Sequence, residues 1–503
     1  MGSQGPSGRL TGLFGTDRFK NDPQTLSYYA SGLNGQHVQP FGVVFPLSTE
    51  EIRQLMPIAR EEKLVLFPIS RGKNYGYGEA QGTQAGQLIV DLSRMHAIVQ
   101  LDEQLGVVTL QPGVSQRDLA DYLDKAGSRF QADVTGAGLD ASVVGNVLER
   151  GFGHTDYGDR YARVVRLSAV LPDGTIVNTG FGDFVHARSR DTYRYGCGPA
   201  LEGLFTQSNF GIITELTIEL MPRPEKTCMF VLSAKDEEAI GPLVEVVREL
   251  RLQGVLNSAV HFANKARAIG SANNRMAGAW NLSGSLSGPA SLVRARKREL
   301  RRALRRKGIR VSLWFFDDLL MRVVEFVNRN VRKIALYQPL KDAWDLQKGI
   351  PTDNPLRILL EDDKLESATL DPGKYETGFL WVNAVCAAEQ SEVRRMLSLL
   401  RTAFSEARYE FRVTFTAVNP RSLIMITNIT FPRNDAEMMR AGAFSKALYA
   451  ERISNGFLPY RSGSGAYSKL PAHGKDKQGV LSRLKAAFDP DGLIAPGKYN
   501  IPG

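Results

Sequence analysis

The tightest constraint on this chain is a glycine-punctuated turn, Pro68-Ile-Ser-Arg-Gly-Lys-Asn-Tyr-Gly-Tyr-Gly78, that follows directly on the apolar run Leu64-Val-Leu-Phe67. A strand ending in such a turn can lay successive backbone N–H groups against an anion, because Gly72, Gly76 and Gly78 permit dihedrals and close approaches that a Cβ forbids. The spacing matches neither Gly-x-x-x-x-Gly-Lys-Ser/Thr nor Gly-x-Gly-x-x-Gly, so neither common nucleotide loop is present. Alone, a glycine-rich turn after a strand is more often a plain reversal of the chain than a cofactor site.

The rest of the chain bounds the answer. At 503 residues, with 43% hydrophobic and 23% charged residues, it can bury an ample core in two or three domains. It carries no apolar run long enough to span a bilayer and no apolar signal core in Met-Gly-Ser-Gln-Gly-Pro-Ser-Gly, which reads as a lead outside the fold. Cys197, Cys228 and Cys386 are too few and scattered for a disulfide framework, so buried free thiols and a reducing, cytoplasmic setting are expected. Ten Lys or Arg against one acid between Arg294 and Arg310 account for most of the net charge of +10. With Val293, Leu300 and Leu304 as an apolar stripe, that segment predicts a surface helix with a solvated basic face or a dock for an acidic partner. Without interleaved aromatics it does not predict nucleic-acid binding.

From Gly42 to Pro224, strand-like runs at 87–92, 107–111, 166–171 and 212–220 alternate with helical stretches at 49–62 and 116–126, an α/β pattern. The two prolines of Leu220-Met-Pro-Arg-Pro-Glu225 break it. Beyond them, helices at 237–253, 292–307 and 390–407 and strands at 378–385 and 422–430 describe an α+β segment. The organisation expected is a lead (1–39), a first domain (40–224), a second domain (225–445) and a C-terminal segment (446–503).

Four segments then acquire meaning as a set: the turn above, Val108-Thr-Leu-Gln-Pro-Gly113, Ser142-Val-Val-Gly-Asn146 with Gly151-Phe-Gly153 and Asp156-Tyr-Gly-Asp159, and Leu204-Phe-Thr-Gln-Ser-Asn-Phe-Gly-Ile-Ile-Thr214. In this order, and with the closing signature Ala487-Phe-Asp-Pro-Asp-Gly-Leu-Ile-Ala-Pro-Gly-Lys498, the chain resembles the vanillyl-alcohol oxidase and para-cresol methylhydroxylase family of flavoproteins. The resemblance implies an α+β fold: a two-subdomain FAD-binding domain, an α+β cap over the flavin, and a C-terminal return to the first domain. It implies FAD with its pyrophosphate along Ile69, Ser70, Arg71, Gly72, Lys73, Asn74, Tyr75 and Gly76. Its ring system would lie against Gly138, Leu139, Ser142, Gly145, Asn146, Gly211 and Ile213, with Gly151, Tyr157 and Lys498 close by. A homodimer through the cap is also common in the family.

By the same resemblance, Tyr77 and the pair Tyr460-Arg461 match two tyrosines and an arginine that hold a para-substituted phenol as its phenolate. The chemistry is sound. A free phenol ionises near pH 10, and a buried guanidinium with phenolic donors favours the charged form. Electron density pushed to the para position makes the benzylic or allylic C–H hydridic, so its hydride can pass to the flavin and leave a quinone methide. Asp140 is the candidate base, although this loop is one residue longer than the family's, which leaves a turn or capping role open. Tyr375-Glu-Thr-Gly-Phe-Leu-Trp381, where relatives tether the flavin, lacks histidine, so dissociable FAD is expected, with Tyr375 as the remaining tether. Ser462-Gly-Ser-Gly-Ala-Tyr467 is read as a possible pocket floor. His154 and His261 are read as structural, and no pair of histidines has metal-ligand spacing. Oxygen or an electron-carrier protein would reoxidise the flavin. Two other readings stay open: the same fold acting on a non-phenolic alcohol or hydroxy acid, and a non-catalytic protein that keeps FAD as scaffold.

Overall fold

The computed structural model describes residues 5–269, 277–334, 337–464 and 475–502. Three sheets organise it. The first has the order Phe19–Lys20, Gly42–Val44, Leu88–Asp91, Leu66–Ile69; its last three strands run parallel. Helix Thr49–Glu61, started by Ser48 accepting from the Glu51 N–H, crosses over between two of these strands and buries Ile52, Leu55, Met56 and Ala59. The second sheet (Ile98–Asp102, Val107–Leu110, Ile212–Glu219, Val164–Val170, Ile176–Asn178) is antiparallel throughout. The alternation expected of an α/β domain therefore holds only for the first sheet. In the second, strands distant in sequence pair directly, as Leu216 does with both Leu110 and Leu167.

The third sheet is antiparallel and seven-stranded, in the order Ser312–Phe316, Lys226–Ala234, Trp280–Gly288, Val260–Asn264, Val413–Ala417, Ser422–Pro432, Thr377–Ala387. Helices Ile240–Leu252, Ala290–Arg306, Gln390–Glu406 and Asp435–Ser454 contribute to the core that buries one face. Side chains alternate along each strand, so the residues between the core-facing ones are released to the opposite face. In Val260–Asn264, Val260 and Phe262 are fully buried, whereas His261 and Ala263 turn toward a cavity.

Both ends of the chain are built into the first sheet. Helix Pro6–Phe14 buries Leu10 and Phe14. Each contributes about 1.5–3 kcal/mol of burial, so the segment read as a lead is part of the core from Pro6 onward; residues 1–4 lie outside the described residues. Near the other end, Leu66 N–H donates to Leu493 O at 2.7 Å and Ala495 N–H donates to Leu66 O at 2.9 Å. The basic helix spans Ala290–Arg306 with Val293, Leu300, Ala303 and Leu304 buried. Arg301 and Lys297 lie over the Phe315 ring at 4.6 and 5.2 Å, and Lys307 meets Glu249 at 3.1 Å. Of the three thiols, Cys228 and Cys386 are buried, but Cys197 is exposed on a loop, contrary to the expectation for all three. Among the described residues no helix is long and apolar enough to cross a membrane.

Candidate active site

A cavity of ≈ 590 Å³ runs between the glycine turn and the open face of the seven-stranded sheet. Ile69, Ser70, Arg71, Gly72, Lys73, Asn74 and Tyr75 line it. Gly72 and Gly76 take φ of 64° and 72°. No acceptor in the chain is assigned to the N–H groups of Ser70, Arg71, Gly72, Lys73, Asn74 or Tyr75 among the described residues. Six unspent donors in a cavity wall suit a ligand rich in acceptors, such as a pyrophosphate. Ser142, Gly145, Asn146 and Gly151 line the same cavity, as do Gly211, Ile213 and Lys498. A Cβ on Gly145 would come 2.1 Å from Ser70 Oγ, so the turn and the 142–146 segment pack closely here and any larger residue would have to displace the Ser70 hydroxyl. Lys498 Nζ is 3.1 Å from Glu149 Oε1. Burial raises the Glu149 pKa, but Lys498 and the Tyr499 hydroxyl outweigh it and hold the carboxyl below its ordinary value.

Five residues expected at the cofactor site or the reaction centre lie elsewhere. Gly76 is behind the wall, where a Cβ would collide with the Phe379 and Trp381 rings. Gly138 (φ 92°) packs on Leu356 and Ser367, and Leu139 N–H donates to Asp353 Oδ1 at 2.7 Å. The loop thus turns toward 353–367, leaving Thr135, Gly136, Ala137 and Ala141 to line the cavity. Asp140 is ion-paired with the Arg71 guanidinium, lies 3.9 Å from Lys73 Nζ and does not line the cavity. A carboxylate clamped by two cations in this way fastens the loop, the turn role that the sequence left open beside that of a base. Tyr157 packs beneath Arg163, 3.9 Å from the ring centroid, away from the cavity.

The structure brings Tyr77, Tyr460 and Arg461 together. The Arg461 guanidinium lies 3.9 Å from the centroid of the Tyr77 ring and 5.7 Å from that of Tyr460, and its Nη2 donates to Asn74 Oδ1 at 3.1 Å. Burial raises the Tyr460 pKa, and the neighbouring guanidinium opposes the rise. Burial likewise works to lower Arg461, but Tyr460 and Tyr77 outweigh it, so the guanidinium is held in its charged form.

Asn383, a lone amide in the apolar strand Thr377–Ala387, sets the arrangement. Its Nδ2 donates to Tyr77 Oη and to Arg461 O, both at 3.1 Å, and its Oδ1 accepts from Tyr460 N–H at 3.2 Å. A polar residue in an otherwise apolar strand was the available signal for it. Two residues earlier, Trp381 stacks on Tyr77 with ring centroids 6.4 Å apart. The same wall holds His154 and His261, with ring centroids 4.5 Å apart. Burial lowers His154 to about 4; burial, together with His154, also depresses His261. Both are neutral imidazoles at neutral pH, and His261 Nε2 has no hydrogen-bond partner among the described residues. Tyr375, the expected alternative tether, donates its hydroxyl to Asp362 Oδ2 at 3.0 Å and does not line the cavity. Of the 462–467 segment, Ser464 lines the cavity and residues 465–467 lie outside the described residues.

Fold and cavity together define a flavin-dependent oxidoreductase, and the comparisons agree. Residues 40–180 match the family described as "FAD binding domain". The chain is 31% identical to 1'-carboxy-chondrochloren decarboxylase of Chondromyces crocatus over 91% of its own length and 90% of that protein. It is 26% identical to the flavoprotein subunit of 4-cresol dehydrogenase (hydroxylating) from Pseudomonas putida, covering 93% and 89%. Among solved structures, substrate-bound p-cresol methylhydroxylase superposes with a TM-score of 0.87 at 24% identity, covering 99% and 96%. The isoeugenol complex of 4-ethylphenol oxidase from Gulosibacter chungangensis gives 0.88 at 21%, covering 99% and 97%. The chain belongs to the vanillyl-alcohol oxidase and para-cresol methylhydroxylase family of FAD-linked oxidoreductases. It is an FAD-dependent enzyme.

Proposed function

We propose that this enzyme binds a para-substituted phenol as its phenolate and removes a hydride from the benzylic or allylic carbon. The observation that carries the reading is the convergence of Tyr77, Tyr460 and Arg461 at one end of a cavity whose other walls suit FAD. Arg461, charged and deprived of water, stabilises the ring oxygen most when that oxygen is an anion, and the two tyrosines supply hydroxyl donors. Asn383 keeps the three in register. FAD, when bound, is the hydride acceptor. With Asp140 outside the wall, the neutral imidazoles of His154 and His261 are the groups placed to take a proton from water that adds to the quinone methide. The names of the relatives include a hydroxylating dehydrogenase, an oxidase and a decarboxylase, which supports addition of water or loss of a side-chain carboxylate as the step that follows here. Oxygen or an electron-carrier protein completes the cycle.

Anaerobic mixing of the holoenzyme with 4-ethylphenol and with its O-methyl ether tests the reading. Bleaching of the flavin by the phenol alone is expected. Bleaching by both, or by simple alcohols and hydroxy acids but neither aromatic, contradicts it.

We also propose that FAD is held without a covalent bond, since Tyr375 is engaged by Asp362 outside the cavity. Acid precipitation is expected to leave the flavin in the supernatant; an intact protein mass raised by one flavin would sink this.

A further inference from the structure

Beside Trp381 the cavity carries a positive charge that the phenol chemistry does not use. Arg267 sits on the short helix Lys265–Ile269 that continues the strand Val260–Asn264, and its side chain lines the cavity. Its Nη1 donates to Asn428 Oδ1 at 3.2 Å, and its guanidinium lies 5.8 Å from the centroid of the Trp381 ring. No carboxylate is within ion-pair distance of it among the described residues. The charge it feels most is another cation, Arg412, which lines the same cavity. Arg412 is matched by Glu410 at 2.7 Å, with Glu361 at 3.8 Å; Arg267 has no such match. Burial and Arg412 together lower the Arg267 pKa to about 10, which still leaves the group charged at neutral pH.

A guanidinium recessed in a cavity, facing a like charge and lacking an acid, is unfavourable in the free protein unless an anion arrives. The fork of N–H donors suits a carboxylate. Geometry locates that carboxylate relative to the phenol. Trp381 stacks on Tyr77 and also meets the Arg267 guanidinium, so Arg267 is two successive ring contacts, of 6.4 and 5.8 Å, from the phenolate cluster. A phenol ring with a para chain of a few atoms spans such a gap.

We propose that Arg267 forms an anion subsite and that the substrate is a para-hydroxyphenyl acid, its phenolate held by Tyr77, Tyr460 and Arg461 and its side-chain carboxylate by Arg267. This rests on the phenolate reading of the same cavity and adds the identity of the far end.

The test is a set of flavin difference-spectrum titrations of the holoenzyme with 3-(4-hydroxyphenyl)propanoate, its methyl ester and 4-ethylphenol. In the native enzyme the propanoate is expected to bind about 10- to 100-fold more tightly than the ester, the range of one charge-assisted hydrogen-bonded pair. In Arg267→Met the ratio of the two dissociation constants is expected to fall to near one, and in Arg267→Lys to an intermediate value. Equal affinities in the native enzyme overturn the subsite without recourse to any variant. So does a preference for the acid that survives Arg267→Met, and so does loss of bound FAD from that variant during purification, which would assign the arginine to the cofactor. If the subsite alone is wrong, 4-ethylphenol still perturbs the flavin. If none of the three ligands perturbs it, the phenolate reading falls and the subsite with it.

Discussion

Arg461→Met is expected to lower kcat/KM for a para-alkylphenol by about 100- to 10,000-fold, the equivalent of the ~3–5 kcal/mol lost when one partner of a buried ion pair is removed. The reason is local. Arg461 is a buried cation in contact with both phenolic rings, tied to the glycine turn through Asn74, and no acid is paired with it among the described residues. Its natural counter-charge is the substrate's ring oxygen. Arg461→Lys keeps the charge but loses the planar fork and the stacking on Tyr77, so an intermediate loss is expected. Stopped-flow flavin reduction read beside steady-state kinetics separates binding from hydride transfer. A change of less than threefold in Arg461→Met would remove the residue from the mechanism.

Lys485→Met is expected to produce the largest loss of stability, about 3–5 kcal/mol. Lys485 is 1% exposed and Asp489 is 1% exposed, and the two meet at 2.6 Å. Lys485 also donates to Asn209 O at 2.7 Å and Ile494 O at 2.9 Å, while Asp489 accepts from Leu493 and Ile494 N–H at 2.8 and 2.9 Å. The pair therefore fastens the C-terminal return both to the Leu204–Thr214 segment and to itself. Methionine strands a buried carboxylate. Lys485→Met with Asp489→Leu removes both charges and is expected to recover part of the loss. Urea unfolding with holoenzyme checks both variants. An unchanged midpoint in the single variant would show that the pair holds nothing.

The fold was legible wherever periodicity was strong. Helix 49–62 is observed as Thr49–Glu61, strand 107–111 as Val107–Leu110 and strand 378–385 as Thr377–Ala387, because helix caps and short apolar runs bounded by turns are local properties. The all-antiparallel pairing of the second sheet was not, since pairing between residues a hundred positions apart leaves no local trace. In the candidate site, the tyrosines and Arg461 were reached through family resemblance. The pairing of Asp140 with Arg71, from a loop that turns toward 353–367, is a tertiary contact that no residue identity encodes. His154 and His261 looked structural singly; only the register that sets His261 opposite Thr416 and Ser283 on the open face of the sheet makes them cavity residues. Arg267 was invisible for the same reason, as one arginine among many in a chain with 63 Lys and Arg.

The most direct measurement is the ionisation state of a bound phenol. A chromophoric para-substituted phenol titrated into the holoenzyme across pH reports its own protonation through its absorption band. Binding as the phenolate at a pH well below the ligand's free pKa, with that shift lost in Arg461→Met, is the predicted result. A ligand that binds as the neutral phenol, with the pKa it has in water or a higher one, would contradict the account at its centre.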